Sequence, residues 1–241
     1  MTYSQKLILY FLDLEKAITH KTQTIETTAQ SIMEEKDFLQ IINETYETYF
    51  KHGARSSKKV DYFHSEIKSM LEKHFTIENG FEIKLEYDIP SCNSSGKKKC
   101  DIVILKNSEH NKNEPYIIFP VKIIMTNYKQ NKNNSWENLT GELIHIKWSN
   151  PDIHIIPINI FMNKTPYLKK NKEIKTFENI TTSDIETYNQ LIKRHVCYDI
   201  INYIVEVEHI NKENECFEKI QPIKKFITPY RSISSIISKL L

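Results

Sequence analysis

Two charged residues, Asp101 and Lys122, lie where the surrounding sequence predicts buried β-strands. Asp101 opens the run Asp-Ile-Val-Ile-Leu, and Lys122 interrupts Tyr-Ile-Ile-Phe-Pro-Val-Lys-Ile-Ile-Met. Burying a lone ammonium group is costly unless a carboxylate or a ligand compensates its charge. Lys122 is therefore either part of a functional site or, in the structural alternative, a lysine at a sheet edge that pairs with a surface acid.

An aspartate and a lysine on neighbouring strands suit the metal-assisted hydrolysis of a phosphodiester. A carboxylate at the end of one strand and a backbone carbonyl on the next can both bind a divalent cation, which prefers oxygen ligands. A lysine beside the metal can orient or deprotonate the attacking water and offset the charge that develops on the phosphate. This interpretation makes Asp101 a metal ligand and Lys122 a catalytic residue.

The elements around these residues predict an α/β fold with a mixed central β-sheet flanked by helices. The second and third strands are close enough in sequence to form an antiparallel pair, and a helical crossover predicts that the last strand is parallel to its neighbour. Apolar periodicity predicts a helix, three strands, a helix and a strand at residues 62–71, 81–87, 101–105, 116–125, 136–148 and 153–162.

One domain is expected over residues 1–241, with a helical N-terminal extension at 1–55 and a catalytic core at 60–165. The remaining stretch, 170–241, is predicted to be a C-terminal extension of helices and loops. The beginning of the chain reaches Asp13 and Glu15 too early for a signal peptide, and no run approaches the roughly 20 apolar residues of a membrane span. We therefore expect a cytoplasmic protein with no membrane partner, and four reduced cysteines fit that compartment.

The composition argues against several other functional classes. Only four glycines occur, and neither GxGxxG nor GxxxxGK[ST] is present, which excludes the usual phosphate-binding loops. No HExxH, paired CxxC, zinc-deaminase or GxSxG pattern is found. The formal net charge of +2 demands no polyanionic partner, so a nucleic-acid site has to come from local clusters of basic residues.

The motif and the element order together resemble the PD-(D/E)XK nucleases, and among them the type II restriction endonucleases. In that family an aspartate on one strand is followed by (Asp/Glu)-X-Lys on the next, and the corresponding residues here are Cys100-Asp101 and Pro120-Val121-Lys122. The resemblance covers about residues 60–162, including an Asn- and Glu-containing helix start after the lysine. It implies a restriction-endonuclease-like fold, Mg²⁺ as cofactor and cleavage of double-stranded DNA at a short specific sequence.

Two positions depart from the family pattern. Cys100 replaces a proline, which matters little because the ligand is the carboxylate of Asp101. Pro120 replaces the second acid, which matters more. In some restriction endonucleases a glutamate on the following helix supplies that acid, so the resemblance implies Glu137 as the second catalytic and metal-binding carboxylate. Glu142 is the alternative on a different helix face, and Glu137 could equally be a first-turn glutamate favoured by the helix dipole.

Two further positions are implied by the same resemblance. The backbone carbonyl of Val121 would be a metal ligand. Glu66, on the helix before the first strand, matches a position where family members often carry an acid near the metal, although burial statistics favour a solvated surface glutamate there.

DNA contacts are expected from two polar segments, one before Asp101 and one after the strand of Lys122. Lysine and asparagine side chains contact phosphates, and asparagine or glutamine can bind adenine in the major groove. Because the chain is rich in both lysine and asparagine, ordinary solvated loops explain the segments equally well. The candidate DNA-binding residues are Lys97, Lys98, Lys99, Asn127, Lys129, Gln130, Lys132, Asn133 and Asn134.

The resemblance also implies partners. A homodimer would cut both strands of a palindrome, and a separately encoded DNA methyltransferase would protect the host. Two other functions fit the same fold: a catalytically inactive DNA-binding protein, which Pro120 supports, and a structure-specific repair or recombination nuclease.

Overall fold

The computed structural model describes residues 34–53, 56–92, 95–107, 113–169, 174–210 and 219–240. The chain forms two compact units, Met1–Gln40 and Ile41–Leu241. Most of the predicted N-terminal extension lies outside the described residues, and the elements below belong to the second unit except for the start of the first helix. Within the described ranges, no helix is both long enough and apolar enough to cross a membrane.

Six helices and eleven strands are present in the described part of the chain, together with two short 3₁₀ turns at Ile77–Asn79 and Glu186–Asn189. The helices are α1 (34–52), α2 (Lys58–Leu71), α3 (Tyr128–Ser149), α4 (Thr182–Ile185), α5 (Gln190–Lys193) and α6 (Ile233–Ile237). The strands are β1 (Phe81–Pro90), β2 (Lys97–Lys106), β3 (Glu114–Phe119), β4 (Val121–Ile124), β5 (His154–Ile155), β6 (Ile158–Met162), β7 (Lys164–Leu168), β8 (Ile174–Asn179), β9 (Ile201–Val205), β10 (His209–Ile210) and β11 (Lys219–Ile220).

The centre of the fold is a mixed sheet built from two ladders, β1-β2-β3-β5 and β4-β6-β9. The pairs β1–β2 and β2–β3 are antiparallel, whereas β3–β5, β4–β6 and β6–β9 are parallel. The predicted mixed sheet flanked by helices is therefore confirmed, as are the antiparallel pair and the parallel crossover.

Pro120 is the reason that the third predicted strand is divided into β3 and β4, because proline has no N–H to donate to a ladder. The two ladders nevertheless continue into each other. The amide of Ile156 donates to the carbonyl of Ile118, and the amide of Ile158 donates to the carbonyl of Pro120, each at 2.8 Å. The sheet thus stays continuous from β3 and β5 to β4 and β6, past the break at Pro120.

Two helices bury apolar faces near the candidate residues. α2 contacts β1 and β2 and buries Phe63, Ile67 and Leu71, which recur at the spacing of one helix face. α3 packs against the sheet through Leu139, Leu143 and Ile146. Each fully buried side chain of this size contributes about 1.5–3 kcal/mol, which fixes both helices beside the strands.

Two predictions need correction. α3 begins at Tyr128 rather than near residue 136, so the segment expected to be a loop before it is already helical. The C-terminal extension was expected to contain only helices and loops, but it supplies strand β9 to the sheet. The run Ile-Asn-Tyr-Ile-Val is short and polar at Asn202, so local pattern alone did not separate it from a loop; pairing with β6 determines its conformation.

Candidate metal and catalytic site

Asp101 lies on β2, and Lys122 lies on β4, which continues beyond Pro120 from the strand that pairs with β2. Oδ2 of Asp101 accepts a 2.7 Å hydrogen bond from the amide of Val121, the residue before Lys122. The β2–β3 register pairs Ile102 with Phe119, so Asp101 comes next to Pro120 where this ladder ends. The carboxylate therefore lies at the junction between β3 and β4.

The strand pair β1–β2 is distorted at this junction. Cys100 and Val103 pack into the same core cluster, although strict alternation would place them on opposite faces of β2. Across from Asp101, Glu86 has a φ of +49°, and the pairing is lost at this residue and resumes on both sides of it. A non-glycine residue with a left-handed backbone conformation is strained by about 1–3 kcal/mol, and such residues concentrate at functional sites.

His64, on α2, completes a group of three possible metal ligands with Glu86 and Asp101. Their ligating atoms all lie within 4.8 Å of one another. Nδ1 of His64 is 3.3 Å from Oε1 of Glu86. The imidazole is only 1% exposed, yet neither ring nitrogen makes a hydrogen bond of normal geometry with the described residues.

The electrostatics of this group favour a neutral imidazole. Burial lowers the pKa of His64, although the carboxylates of Asp101 and Glu86 act in the opposite direction. A neutral imidazole is the form that binds metals. Because an unpaired buried polar group costs about 1–3 kcal/mol, the two carboxylates and the ring nitrogen together fit a divalent cation as the missing partner.

Lys122 contacts a second, separate group of charges. Its Nζ lies 3.2 Å from Oε2 of Glu142, and Nζ of Lys98 lies 3.0 Å from Oε1 of the same glutamate. Burial opposes ionisation of Glu142, whose side chain is 15% exposed, but the two lysines outweigh it and lower its pKa. Glu142 is therefore ionised and compensates part of the charge of Lys122.

The other predicted acids lie away from these contacts. Glu137 is exposed in the middle of α3, and Glu66 is half-buried on α2 two residues after His64. Neither belongs to the group of possible metal ligands found among the described residues. Val121 is buried on β4 with its amide bound to Asp101. The structure thus brings Asp101, His64 and Glu86 together, and it links Lys122 with Glu142.

Sequence reasoning missed His64 and Glu86. His64 follows Phe63 and shares the buried side of α2 with Ile67, so a titratable residue in an apolar face was the available signal. Glu86 gave a weaker signal, since it occupies an ordinary charged position in an alternating strand.

The predicted basic residues of β2 have unequal surroundings. Lys97 and Lys99 are exposed, while Lys98 between them is half-buried and paired with Glu142. Alternation along the strand explains the difference. The three residues therefore do not present a uniform basic surface.

The second predicted DNA-binding segment lies at the start of α3. Asn127 has a φ of +53°, and its Oδ1 accepts a 2.7 Å hydrogen bond from the amide of Leu168. This bond connects the start of α3 to the end of β7. Nζ of Lys132 lies 3.5 Å from Oδ1 of Asp184. The exposed members of the segment are Lys129, Gln130, Asn133 and Asn134.

No family model matches this chain, and neither does any curated protein or solved structure. The chemistry of the site therefore has to be argued from the residues themselves. The decisive geometry is the convergence of His64, Glu86 and Asp101, together with the hydrogen bond that Asp101 accepts from the amide of the residue before Lys122.

Proposed function

We propose that this chain is a metal-dependent endonuclease that hydrolyses phosphodiester bonds of double-stranded DNA, similar to the type II restriction endonucleases. The convergence of His64, Glu86 and Asp101 carries the proposal, since it brings three possible metal ligands to the end of the strand beside Lys122. The order of helix, strands, helix and parallel strand gives further support.

The second carboxylate of the site is better assigned to Glu86 than to Glu137. Glu86 lies within 4.8 Å of the other possible ligands, whereas Glu137 is exposed. On this proposal Glu86, the residue of positive φ opposite Asp101, supplies the acid that the family carries at the position of Pro120.

The two carboxylates and the imidazole of the site indicate which metal ion it would prefer. Asp101, Glu86 and His64 would hold the cation, which would supply charge stabilisation at the phosphate and activation of water. Carboxylates suit Mg²⁺ and Mn²⁺, while an imidazole favours a transition metal over Mg²⁺. We therefore propose Mn²⁺ as the more effective ion, with Mg²⁺ as the expected alternative.

Lys122 has an electrostatic role in this proposal. The carboxylate of Glu142 lies 3.2 Å from its ammonium group and would fix the position of that group. A charged lysine beside the scissile phosphate stabilises the negative charge that grows in the transition state. Glu142 would position Lys122 and does not need to bind the metal.

Double-stranded DNA is proposed as the substrate because exposed lysines are available on β2 and on α3. Lys99 lies two residues before Asp101, and Lys129 lies at the start of the helix that follows β4. Such side chains neutralise phosphates without sequence preference. The homodimer and the separately encoded methyltransferase remain implications of the family resemblance.

A catalytically inactive DNA-binding protein is the second candidate. Pro120 supports it, and so does the contact that engages Lys122 with Glu142. In that case the charges around Lys122 would be structural and the group around Asp101 would have no catalytic metal.

Incubation of the purified chain with unmethylated plasmid DNA in Mn²⁺, Mg²⁺ or EDTA separates these functions. Discrete fragments that require a divalent cation would support the restriction endonuclease. A metal-dependent smear would favour a nuclease without sequence specificity, and cleavage limited to branched or flapped DNA would favour a repair enzyme. Intact DNA in a stable complex under all three conditions would favour the binding protein.

A further inference from the structure

A row of polar side chains crosses the buried sheet beside Lys122. Lys122 on β4 pairs in register with Asn159 on β6, and Asn159 pairs with Asn202 on β9. Nδ2 of Asn159 donates a 2.8 Å hydrogen bond to Oδ1 of Asn202. Asn159 is 1% exposed, and its own Oδ1 has no hydrogen-bond partner among the described residues.

This row lies on the side of the sheet that α3 covers. Ile124, Phe161 and Ile204, two residues further along the same three strands, pack with the core cluster that includes α3. Residues two apart on a strand share a face. The contact between Lys122 and Glu142 of α3 agrees with this placement.

The row ends at a cavity of about 460 Å³, and Asn202 forms part of its wall. This volume lies within the range of pockets that bind small organic molecules. Hydroxyl and amide groups come from Thr182, Ser183 and Asn189, while Ile185 and Ile200 provide apolar surface. The wall thus combines neutral hydrogen-bonding groups with a small apolar surface from two largely buried isoleucines.

The charges in the wall argue against an anionic ligand. Arg231 already donates to both carboxylate oxygens of Asp199, at 3.0 and 2.6 Å, and to the carbonyl of Ile200 at 2.9 Å. Glu186, the other charged residue that lines the cavity, is negative. An uncharged ligand with both donors and acceptors suits this wall better than a phosphate does.

We propose that the cavity binds a nucleobase of the DNA strand, turned out of the base stack. The inference rests on the proposed nuclease function. Asparagine amides form paired hydrogen bonds with base edges, and extruded bases are held between apolar side chains in closed pockets. Asn202 and Asn189 would contact the base edge, and Ile185 and Ile200 would contact its faces.

The distance from Lys122 fits a base of the same strand. Neighbouring strands of a sheet are about 4.8 Å apart, so β4 and β9, which flank β6, are separated by roughly 10 Å. A stacked DNA strand advances about 3.4 Å per nucleotide. A phosphate beside Lys122 and a base in the cavity would therefore belong to the same few nucleotides.

Fluorescence of 2-aminopurine tests the proposal, because its emission rises when the base leaves the stack. The full chain is titrated in EDTA against a duplex that carries 2-aminopurine opposite a mismatch, and separately against free 2-aminopurine riboside. We expect a several-fold rise in emission with the duplex, which Asn202→Leu and Asn189→Ala each abolish without loss of duplex binding. Asn138→Ala, on the exposed surface of α3, is the matched control and should leave the signal unchanged.

The possible outcomes are distinct. An unchanged signal in both cavity variants would overturn the proposal, and the Asn189 variant covers the case in which Asn202→Leu does not fold. Saturable binding of the riboside without a rise from the duplex would overturn it in favour of a free nucleoside. Metal-dependent cleavage with no rise in emission would overturn this inference alone, whereas no duplex binding would overturn both proposals.

Discussion

The two groups of ionisable residues around β2 differ in how their charges are balanced. His64, Glu86 and Asp101 bring two carboxylates close to a buried imidazole, with 3.3 Å between Nδ1 of His64 and Oε1 of Glu86. Lys98, Glu142 and Lys122 instead form two ion pairs around one carboxylate. The first group consists of two acids and an imidazole whose pKa is lowered by burial, while the second contains two lysines that balance its glutamate.

This difference indicates different tolerances to substitution. In the first group, Glu86 can be replaced with little loss of folding stability, because its contact with His64 is not a hydrogen bond of normal geometry. Replacing Asp101 also removes the acceptor of the Val121 amide. A group of paired charges loses stability when one partner is removed, because the remaining charges stay half-buried. Substitutions in the first group should therefore affect mainly cleavage, whereas substitutions at Lys122 or Glu142 should also lower folding stability.

The largest effect is expected for the residues closest to the proposed chemistry. Asp101→Ala and Lys122→Ala should each reduce cleavage at least about 100-fold, because their roles arise in the transition state. DNA binding in EDTA should stay within about tenfold of wild type, since neither role concerns docking. Plasmid cleavage and gel-shift titration measure the two quantities, and near wild-type cleavage by either variant would remove that residue from the mechanism.

The next prediction compares three glutamates directly. Glu86→Gln should lower cleavage about 10–100-fold at low metal concentration, as the loss of a group that supports a metal site does. Glu137→Gln is the matched control, because it is exposed on α3, and should remain fully active. The reverse result would restore Glu137 as the second metal-binding carboxylate, and Glu66→Gln should resemble the control.

His64 offers a way to sharpen the comparison through the identity of the metal. Because an imidazole favours transition metals over Mg²⁺, His64→Gln should lose more activity with Mn²⁺ than with Mg²⁺. Metal titrations of cleavage by wild type and variant would measure this ratio. Equal losses with both ions would place His64 outside the coordination sphere.

A smaller effect on folding is expected at Glu142. Glu142→Gln should lower the free energy of unfolding at neutral pH by about 1 kcal/mol, in line with partly exposed ion pairs. Because the pKa of Glu142 is lower in the folded state, its contribution is complete above the unfolded pKa and is lost as the pH falls through the folded pKa. Urea unfolding at several pH values would test this, and a stability difference that does not shrink in acid would contradict it.

The smallest effect concerns the exposed lysines of β2. Lys97→Ala with Lys99→Ala should weaken binding to all DNA sequences and reduce the salt slope by roughly 0.9 for each phosphate that the protein no longer neutralises. Lys73→Ala, at an exposed position outside the predicted DNA-binding segments, is the control. An unchanged slope would identify this part of β2 as ordinary solvated surface.

Local patterns were sufficient to predict most strands of the sheet, but not β9 and not the residues that gather around Asp101. The alternation in β1 and the apolar runs of β2 and β3 are properties of neighbouring residues, so these strands were predicted, and the short connection between β2 and β3 predicted their antiparallel pairing. The approach of Glu86 to Asp101 depends on the register of two strands and on one residue with positive φ. Neither property is encoded in a short stretch of sequence.

The choice between Glu137 and Glu142 shows a second limit of prediction from sequence, which is the position of a helix start. The helix was expected to start near residue 136, which placed Glu137 in its first turn, but it starts at Tyr128. Glu137 is consequently in the middle of the helix and exposed, while Glu142 faces Lys98 and Lys122. An error of more than two helical turns in the start of the helix was enough to change the assignment.

The hydrogen bond between Val121 and Asp101 also gives the site a spectroscopic reporter. An amide proton bound to a carboxylate responds in chemical shift when that carboxylate gains a proton or a cation. Because this amide donates to a side chain, its resonance would follow the charge state of Asp101 directly. A ¹⁵N-labelled chain would thus permit the affinity of the site for metal to be measured without any substrate.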